Sequence, residues 1–352
     1  MNKHWNPLIY TLDPYVPGEQ PQDKKYIKLN TNENPYPPSG QALEAIHRAC
    51  AETLRLYPDP ECLELRKAAA AYHRLSAEQV YAGNGSDEVL AFAFLAFFDP
   101  AKTILFPDIT YSFYPVYASL FGNKYELVPL QEDFTLPVEA FLKENGGVIF
   151  PNPNAPTGIC LPLADIETIL RFNQDSVVIV DEAYIAFGGE TAAGLIKQYP
   201  NLLVIRTLSK SHSLAGLRCG YALGDKELIE GLMRVKNSVN SYPLDRLALA
   251  GAAAALDDKE YAEENARKIM LTRERTITAL QELEFQVLPS AANFIFISHP
   301  RVPAEALYLR LKENGVLVRY FNKPRIHNFL RVTIGTDAEM DFFLQEMIKC
   351  LT

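Results

Sequence analysis

The chain has 352 residues, 48% of them hydrophobic, enough apolar material for one elaborate domain or two linked ones. A formal charge of -9 and a pI near 5.3 argue against binding to a phosphate backbone, so no nucleic-acid partner is expected. The longest apolar run, near Val89–Phe98, falls short of the roughly 20 residues of a membrane span, and Met1–Tyr10 lack the basic-then-apolar order of a secretory signal.

In chain order, residues 1–38 are rich in Pro, Asn and Tyr without sustained periodicity and read as an extended arm. Helical periodicity follows over Ala42–Leu54 and Glu61–Leu75, then a strand at Gln79–Ala82 and a helix over Ser86–Phe98. Short apolar strands are predicted at Thr103–Phe106, Tyr125–Pro129, Gly147–Phe150, Val177–Val180, Leu202–Arg206 and Cys219–Leu223, alternating with helical segments. That alternation implies an α/β fold with a mostly parallel sheet covered on both faces. Beyond Asp225 come helical stretches including Ala248–Leu256 and Glu260–Glu284. A different unit follows, with strands at Asn293–Ile297, Val316–Arg319 and Phe329–Ile334 and helices at Ala304–Glu313 and Ala338–Leu351. The expected division is an arm, 1–38, joining a small C-terminal α+β domain, 242–352, beside a large domain, 39–241. The five cysteines are scattered and lack metal-ligand spacing; they read as reduced thiols of a cytoplasmic protein, and no metal is expected.

Four segments carry chemistry. In Thr207-Leu208-Ser209-Lys210, with Arg218 beyond, a lysine sits among hydroxyls with an arginine downstream. That spacing suits a Lys210 Schiff base to pyridoxal 5'-phosphate, with Thr207, Ser209 and Arg218 gripping the phosphate. Asp181-Glu182-Ala183-Tyr184 closes one predicted strand, and Pro151-Asn152-Pro153-Asn154-Ala155-Pro156-Thr157-Gly158 closes another. Gly83-Asn84-Gly85-Ser86-Asp87-Glu88 opens a helix whose free N–H groups and dipole favour a phosphate, to which Ser86, Asp87 and Glu88 would belong. Ligands of open α/β sheets lie beyond the carboxyl ends of strands, where all four segments fall.

Asp181 there can pair with a protonated pyridine nitrogen, or serve simply as a helix cap or surface acid. Tyr184 and Asn154 can approach the ring 3'-oxygen, or be a core tyrosine and a turn asparagine. Ser86 or Asp87 can cap the helix without any ligand, and Arg218 can be a surface cation. Tyr111 can stack on the pyridine ring or belong to the core.

The order and spacing of these segments resemble fold type I pyridoxal-phosphate enzymes. With Leu29-Asn30-Thr31-Asn32-Glu33-Asn34-Pro35-Tyr36-Pro37-Pro38-Ser39 and Tyr57-Pro58-Asp59-Pro60, the chain resembles the histidinol-phosphate aminotransferases over nearly its whole length. The resemblance implies a class II aminotransferase of histidine biosynthesis. It would exchange the amino group between L-histidinol phosphate and 2-oxoglutarate, giving imidazole acetol phosphate and glutamate by ping-pong kinetics through Lys210. It implies a homodimer with shared active sites, in which Tyr57 reaches the neighbouring subunit's cofactor phosphate; from the residues alone Tyr57 reads as a turn residue. It also implies that Arg319 and Arg331 bind substrate anions, where ion-paired structural arginines are the alternative, and that Tyr15 of the arm closes over the substrate or merely anchors the arm. Threonine-phosphate decarboxylases and broad aromatic aminotransferases share these motifs. Regulators with an aminotransferase-like domain carry a basic DNA-binding segment ahead of it, for which the residues before Gly40 leave little room. Ser211-His212-Ser213 departs from the family, which more often has a small residue, an aromatic and a glycine there.

Overall fold

The computed structural model describes residues 2–351. Its centre is a seven-stranded sheet of Val80–Asn84 (β1), Thr103–Pro107 (β2), Lys124–Val128 (β3), Val148–Pro151 (β4), Val178–Asp181 (β5), Leu202–Thr207 (β6) and Cys219–Gly224 (β7). The spatial order is β1-β7-β6-β5-β4-β2-β3, parallel from β6 to β3, with β7 antiparallel to both neighbours. The central strands β4, β5 and β6 are buried runs rich in Val, Ile and Leu because helices cover both faces. On β5, Val178 and Val180 enter one apolar cluster and Ile179 the other. Helices Leu63–His73, Leu163–Phe172 and Arg246–Asp257 pack on the first face, and Gly85–Phe97, Phe113–Phe121 and Lys226–Val239 on the second.

A smaller antiparallel sheet of Gln286–Val287 (β8), Phe294–Ser298 (β9), Arg319–Tyr320 (β10) and Leu330–Thr333 (β11) has the order β10-β11-β9-β8. Its core, with Ile295, Ile297, Val332 and Phe343, is closed by helices Lys259–Glu282, Ala304–Glu313 and Asp337–Leu351. The arm joins this unit: Ile27–Lys28 pairs in parallel with Val316–Leu317, and Leu29 enters the small core.

Some boundaries differ from expectation for physical reasons. The helix expected to reach Leu54 stops at Ala49, where Cys50 leaves the helical region with ψ 75°, and a separate 3-10 turn follows with Leu54 exposed. Helix Arg246–Asp257 buries Ala248, Ala252 and Leu256 in the large-sheet core. We therefore place the boundary between the units near Asp258 rather than at residue 241. Register aligns Pro151, Asp181 and Ile205 across β4, β5 and β6, so the ends of these strands form one shelf.

Candidate active site

Lys210 stands just beyond that shelf. Thr207 ends β6 in an extended conformation, and its Oγ1 accepts from Ser209 N at 3.2 Å, starting the one-turn helix Leu208–Ser211. This turn points Lys210 into a cavity of about 230 Å³ between the two units and the arm. Lys210 Nζ donates to Thr31 O at 3.0 Å, and Asn34 Nδ2 donates to Lys210 O at 2.8 Å. Burial lowers the ammonium pKa to about 8, helped by the Arg331 guanidinium and opposed by Glu33.

Asp181 forms the floor and is only 4% exposed. Tyr114 Oη donates to its Oδ2 at 3.0 Å and Ala183 N to its Oδ1 at 3.2 Å, and no cation pairs with it among the described residues. Burial pushes this carboxyl up to about 7, against the pull of the Tyr114 hydrogen bond. Tyr184, three residues on, accepts from Asn32 Nδ2 at 3.0 Å, and Lys210 Nζ lies 6.0 Å from its ring centroid. Tyr111 lines the cavity and donates to Asp87 Oδ1 at 2.8 Å. Tyr15 of the arm stacks on Phe113 at 4.4 Å and closes the same side.

At one end Ser86, Thr207, Ser209 and Arg218 line the cavity together. No side chain caps helix Gly85–Phe97, so its first N–H groups remain available to an anion. Gly85 has φ +75°, and a Cβ there would meet Arg218 Nη2 at 2.7 Å; one on Gly220 would meet Ser86 N at 2.3 Å. Both glycines thus keep the cradle open. Arg218 is no free surface cation: its Nη2 donates to Asp87 Oδ2 at 3.0 Å. Asp87 therefore orients Arg218 and Tyr111, and neither it nor Ser86 acts as the helix cap. Glu88, expected at the phosphate, does not line the cavity; its Oε2 accepts from Asn84 N at 2.7 Å and ties down the turn.

At the other end, Arg319 and Arg331 are register partners on β10 and β11 and line the cavity, yet neither forms an ion pair among the described residues. Arg319 donates to Val16 O and Pro17 O, and Arg331 Nη2 to Asn30 O at 3.1 Å, leaving the buried Arg331 Nε without a partner. Burial holds the Arg331 pKa below its usual value.

Two further expected residues stand apart. Asn154 sits behind the wall formed by Ala155 and Pro156, with Nδ2 donating to Ile109 O and Thr157 Oγ1 and Oδ1 buried without a partner. Tyr57 is 77% exposed, stacked on Tyr242 at 4.6 Å and outside the cavity of its own chain. The Ser211-His212-Ser213 departure is resolved by packing. His212 is buried edge-on to Tyr72, its pKa pushed down to about 3 by burial, so it packs as a neutral aromatic; Ser213 adopts φ 59°, the conformation glycine takes readily.

The donor set defines its ligand. One end offers hydroxyls, helix N–H groups and an arginine to a phosphate, and the floor offers a buried carboxylate with no cation. Pyridoxal 5'-phosphate, with a dianionic tail and a protonatable ring nitrogen, fits both. The sequence profile of the family "Aminotransferase class I and II" matches residues 24–347. A histidinol-phosphate aminotransferase of Clostridium acetobutylicum is 59% identical over 100% of both chains. The chain belongs to the class I and II aminotransferases, within the histidinol-phosphate aminotransferase family. Another relative so named, from Marinomonas sp., is 58% identical over 97% of each chain. Among solved structures, the Sinorhizobium meliloti histidinol-phosphate aminotransferase in complex with pyridoxal-5'-phosphate is 26% identical, with a TM-score of 0.88 over 100% of this chain and 99% of that one. A Clostridium acetobutylicum histidinol-phosphate aminotransferase structure is 25% identical, with a TM-score of 0.84 over 91% and 98%. The fold is thus that of fold type I aminotransferases, a pyridoxal-phosphate-dependent family.

In this aminotransferase, sequence reasoning missed Tyr114 and Asn32 as partners of Asp181 and Tyr184. Tyr114 lies in the first turn of helix Phe113–Phe121, three residues after Tyr111, in the same aromatic segment and so shared its signal; Asn32 stands in a segment whose local pattern reads only as loop.

Proposed function

We propose that this aminotransferase exchanges the amino group between L-histidinol phosphate and 2-oxoglutarate as a step of histidine biosynthesis. The observation that carries the reading is the pair Arg319 and Arg331, which face the same cavity as Lys210 with no carboxylate on either. An unpaired guanidinium in a partly dry cavity calls for an anion from outside, and each substrate supplies one: a phosphate, or the carboxylates of the oxo acid.

Bound pyridoxal 5'-phosphate supplies an electron sink for the bond to the substrate carbon that loses its proton. Asp181 holds a proton at the ring nitrogen by its buried charge. Tyr184 would donate to the ring 3'-oxygen, while Asn154, whose Nδ2 donates to Ile109 O and Thr157 Oγ1, holds the wall that Ala155 and Pro156 present to the cavity. Arg218, Ser86 and Ser209 grip the phosphate, and Thr207 supports them by capping the turn that carries Lys210. Lys210, whose burial lowers its pKa to about 8, gives up its proton far more readily than an exposed lysine and would move the proton on and off the substrate carbon. Tyr111 would offer its ring face to the cofactor, and Tyr15, which lines the same cavity on the arm, would close over the substrate and exclude water.

Tyr57, exposed on its own chain, supports a homodimer in which it completes the partner's phosphate site. The cysteines are all free, in keeping with a cytoplasmic location. No helix among the described residues is long and apolar enough to cross a membrane. The test is amino transfer from histidinol phosphate to 2-oxoglutarate by the purified enzyme, run beside carbon dioxide release from threonine phosphate. Turnover of the first without the second supports the reading; the reverse overturns it.

A further inference from the structure

We infer that Asn32 and Thr333 are positioning residues that fix Tyr184 as a hydrogen-bond donor toward the ring 3'-oxygen of the cofactor. This rests on the reading of Tyr184 given above and deepens it. A tyrosine hydroxyl can donate or accept, and only a donor stabilises the negative charge that the ring oxygen shares with the Lys210-linked nitrogen.

Three hydrogen bonds set the choice. Asn32 N donates to Thr333 Oγ1 at 2.9 Å, Thr333 Oγ1 donates to Asn32 Oδ1 at 3.1 Å, and Asn32 Nδ2 donates to Tyr184 Oη at 3.0 Å. Thr333 receives one proton from Asn32 and must place its own on the Asn32 amide oxygen. The amide nitrogen is thereby turned to Tyr184, whose oxygen accepts, so the tyrosine's own proton points elsewhere, into the cavity. Reversing the Asn32 amide would leave the hydroxyl proton of Thr333, a residue only 2% exposed, with no acceptor. Asn32 is itself 1% exposed and held at φ 55°, which asparagine tolerates, and its carbonyl accepts from Asn293 Nδ2 at 3.0 Å. The device therefore joins the arm, β11 and the end of β5. Arg331 lies on the same face of β11 as Thr333, two residues earlier.

The test is a spectrophotometric pH titration of the cofactor-loaded enzyme, reading the protonation of the Lys210 linkage by its visible absorbance. Thr333→Val keeps the shape and removes the hydroxyl, so Tyr184 is free to donate to Asn32 instead. The transition then moves to higher pH by about one unit, a roughly tenfold change in proton affinity. Thr333→Ser restores the wild-type value, Tyr184→Phe moves the transition at least as far, and Thr333→Val added to Tyr184→Phe moves it no further. Arg331, Asp181 and Lys210, the charged groups around Tyr184, are unchanged throughout. No shift in Thr333→Val, or a shift that persists in full in the Tyr184→Phe background, overturns the inference alone. No shift in Tyr184→Phe overturns the reading of Tyr184 itself. If Thr333→Val fails to load, Thr333→Cys, which fits the same space and hydrogen-bonds weakly, is judged by the same two criteria.

Discussion

Removing the cofactor should leave a protein whose stability passes through a minimum near neutral pH, because two buried groups of the site then titrate without compensation. Burial raises Asp181 from 3.8 to about 7 and lowers Lys210 from 10.5 to about 8. Between these Asp181 values the folded chain keeps a proton that the unfolded chain has lost, so stability falls as pH rises through that window. Between the Lys210 values the unfolded chain holds the extra proton, and stability climbs again. Integrated across its window, the Asp181 limb amounts to at most roughly 4 kcal/mol and the lysine limb to at most roughly 3 kcal/mol. At roughly 2 °C per kcal/mol for a chain of this size, the acid limb spans up to about 8 °C in melting temperature. The perturbation is Asp181→Asn, which retains an oxygen for Tyr114 or Ala183 and removes the charge. In thermal melts of cofactor-free protein, the variant matches wild type near about pH 4 and melts several degrees higher at about pH 7.5. Adding cofactor narrows or reverses that difference, since only wild type offers its carboxylate to the ring nitrogen. Parallel melting curves for the two proteins from about pH 4 to about pH 7 would refute the reasoning.

Borohydride reduction of the loaded enzyme should attach the cofactor to the peptide containing Lys210, and Lys210→Ala should abolish the attachment; a label on any other peptide removes the assignment. Asp181→Asn should retain cofactor yet lose on the order of hundreds-fold in single-turnover rate, and an unchanged rate would take Asp181 out of the mechanism. Arg331→Ala should weaken histidinol phosphate and glutamate together by roughly tenfold or more, while Arg319→Ala should spare leucine, which lacks a distal anion. Half-reaction kinetics with the three amines decide this, and equal losses for all three count against Arg319. Tyr57→Phe should weaken cofactor binding without changing the circular dichroism spectrum, and sedimentation should give a dimer; a monomer that binds cofactor fully refutes the shared site.

The large sheet was legible because its strands are short, apolar on both faces and separated by helical periodicity, as at Val178–Asp181 and Leu202–Thr207. Lys210 and Asp181 were legible because they stand at or just beyond the carboxyl ends of parallel strands, where topology alone brings distant segments together, and Arg218 because it enters the antiparallel strand Cys219–Gly224 a short distance after Lys210. Local pattern could not resolve which carboxylate does what in Ser86-Asp87-Glu88: helical spacing turns Asp87 toward Arg218 and Tyr111 and Glu88 back toward Asn84. The helix Arg246–Asp257 has small residues on its buried face, so composition did not announce which core it would join. Asn32 was hidden for a different reason. Its hydrogen bonds reach Thr333 and Tyr184, contacts 301 and 152 residues away in sequence, and nothing periodic marks such a link.

The charges of the site also explain why the chain leaves Asp181 and Arg331 each without an ionic partner, although the two face one cavity. Asp181 is held on the floor by β5 and by Tyr114, while Arg331 is held on the small sheet and donates to the arm at Asn30. Had they paired, the acid would meet its cation within the protein and lose its pull on a ring nitrogen, and the guanidinium would be neutralised before any substrate arrived. Leaving Asp181 without a cation costs stability in the cofactor-free protein, and that cost is the acid limb of the neutral-pH minimum. In the proposed mechanism a ring cation would complete Asp181, the cofactor phosphate would join Asp87 on Arg218, and the substrate anion would complete Arg331. The remaining uncompensated charge in the loaded enzyme therefore lies at the end of the cavity formed by the small unit and the arm, so an arriving anion is drawn toward the segment that carries Tyr15 and Asn32.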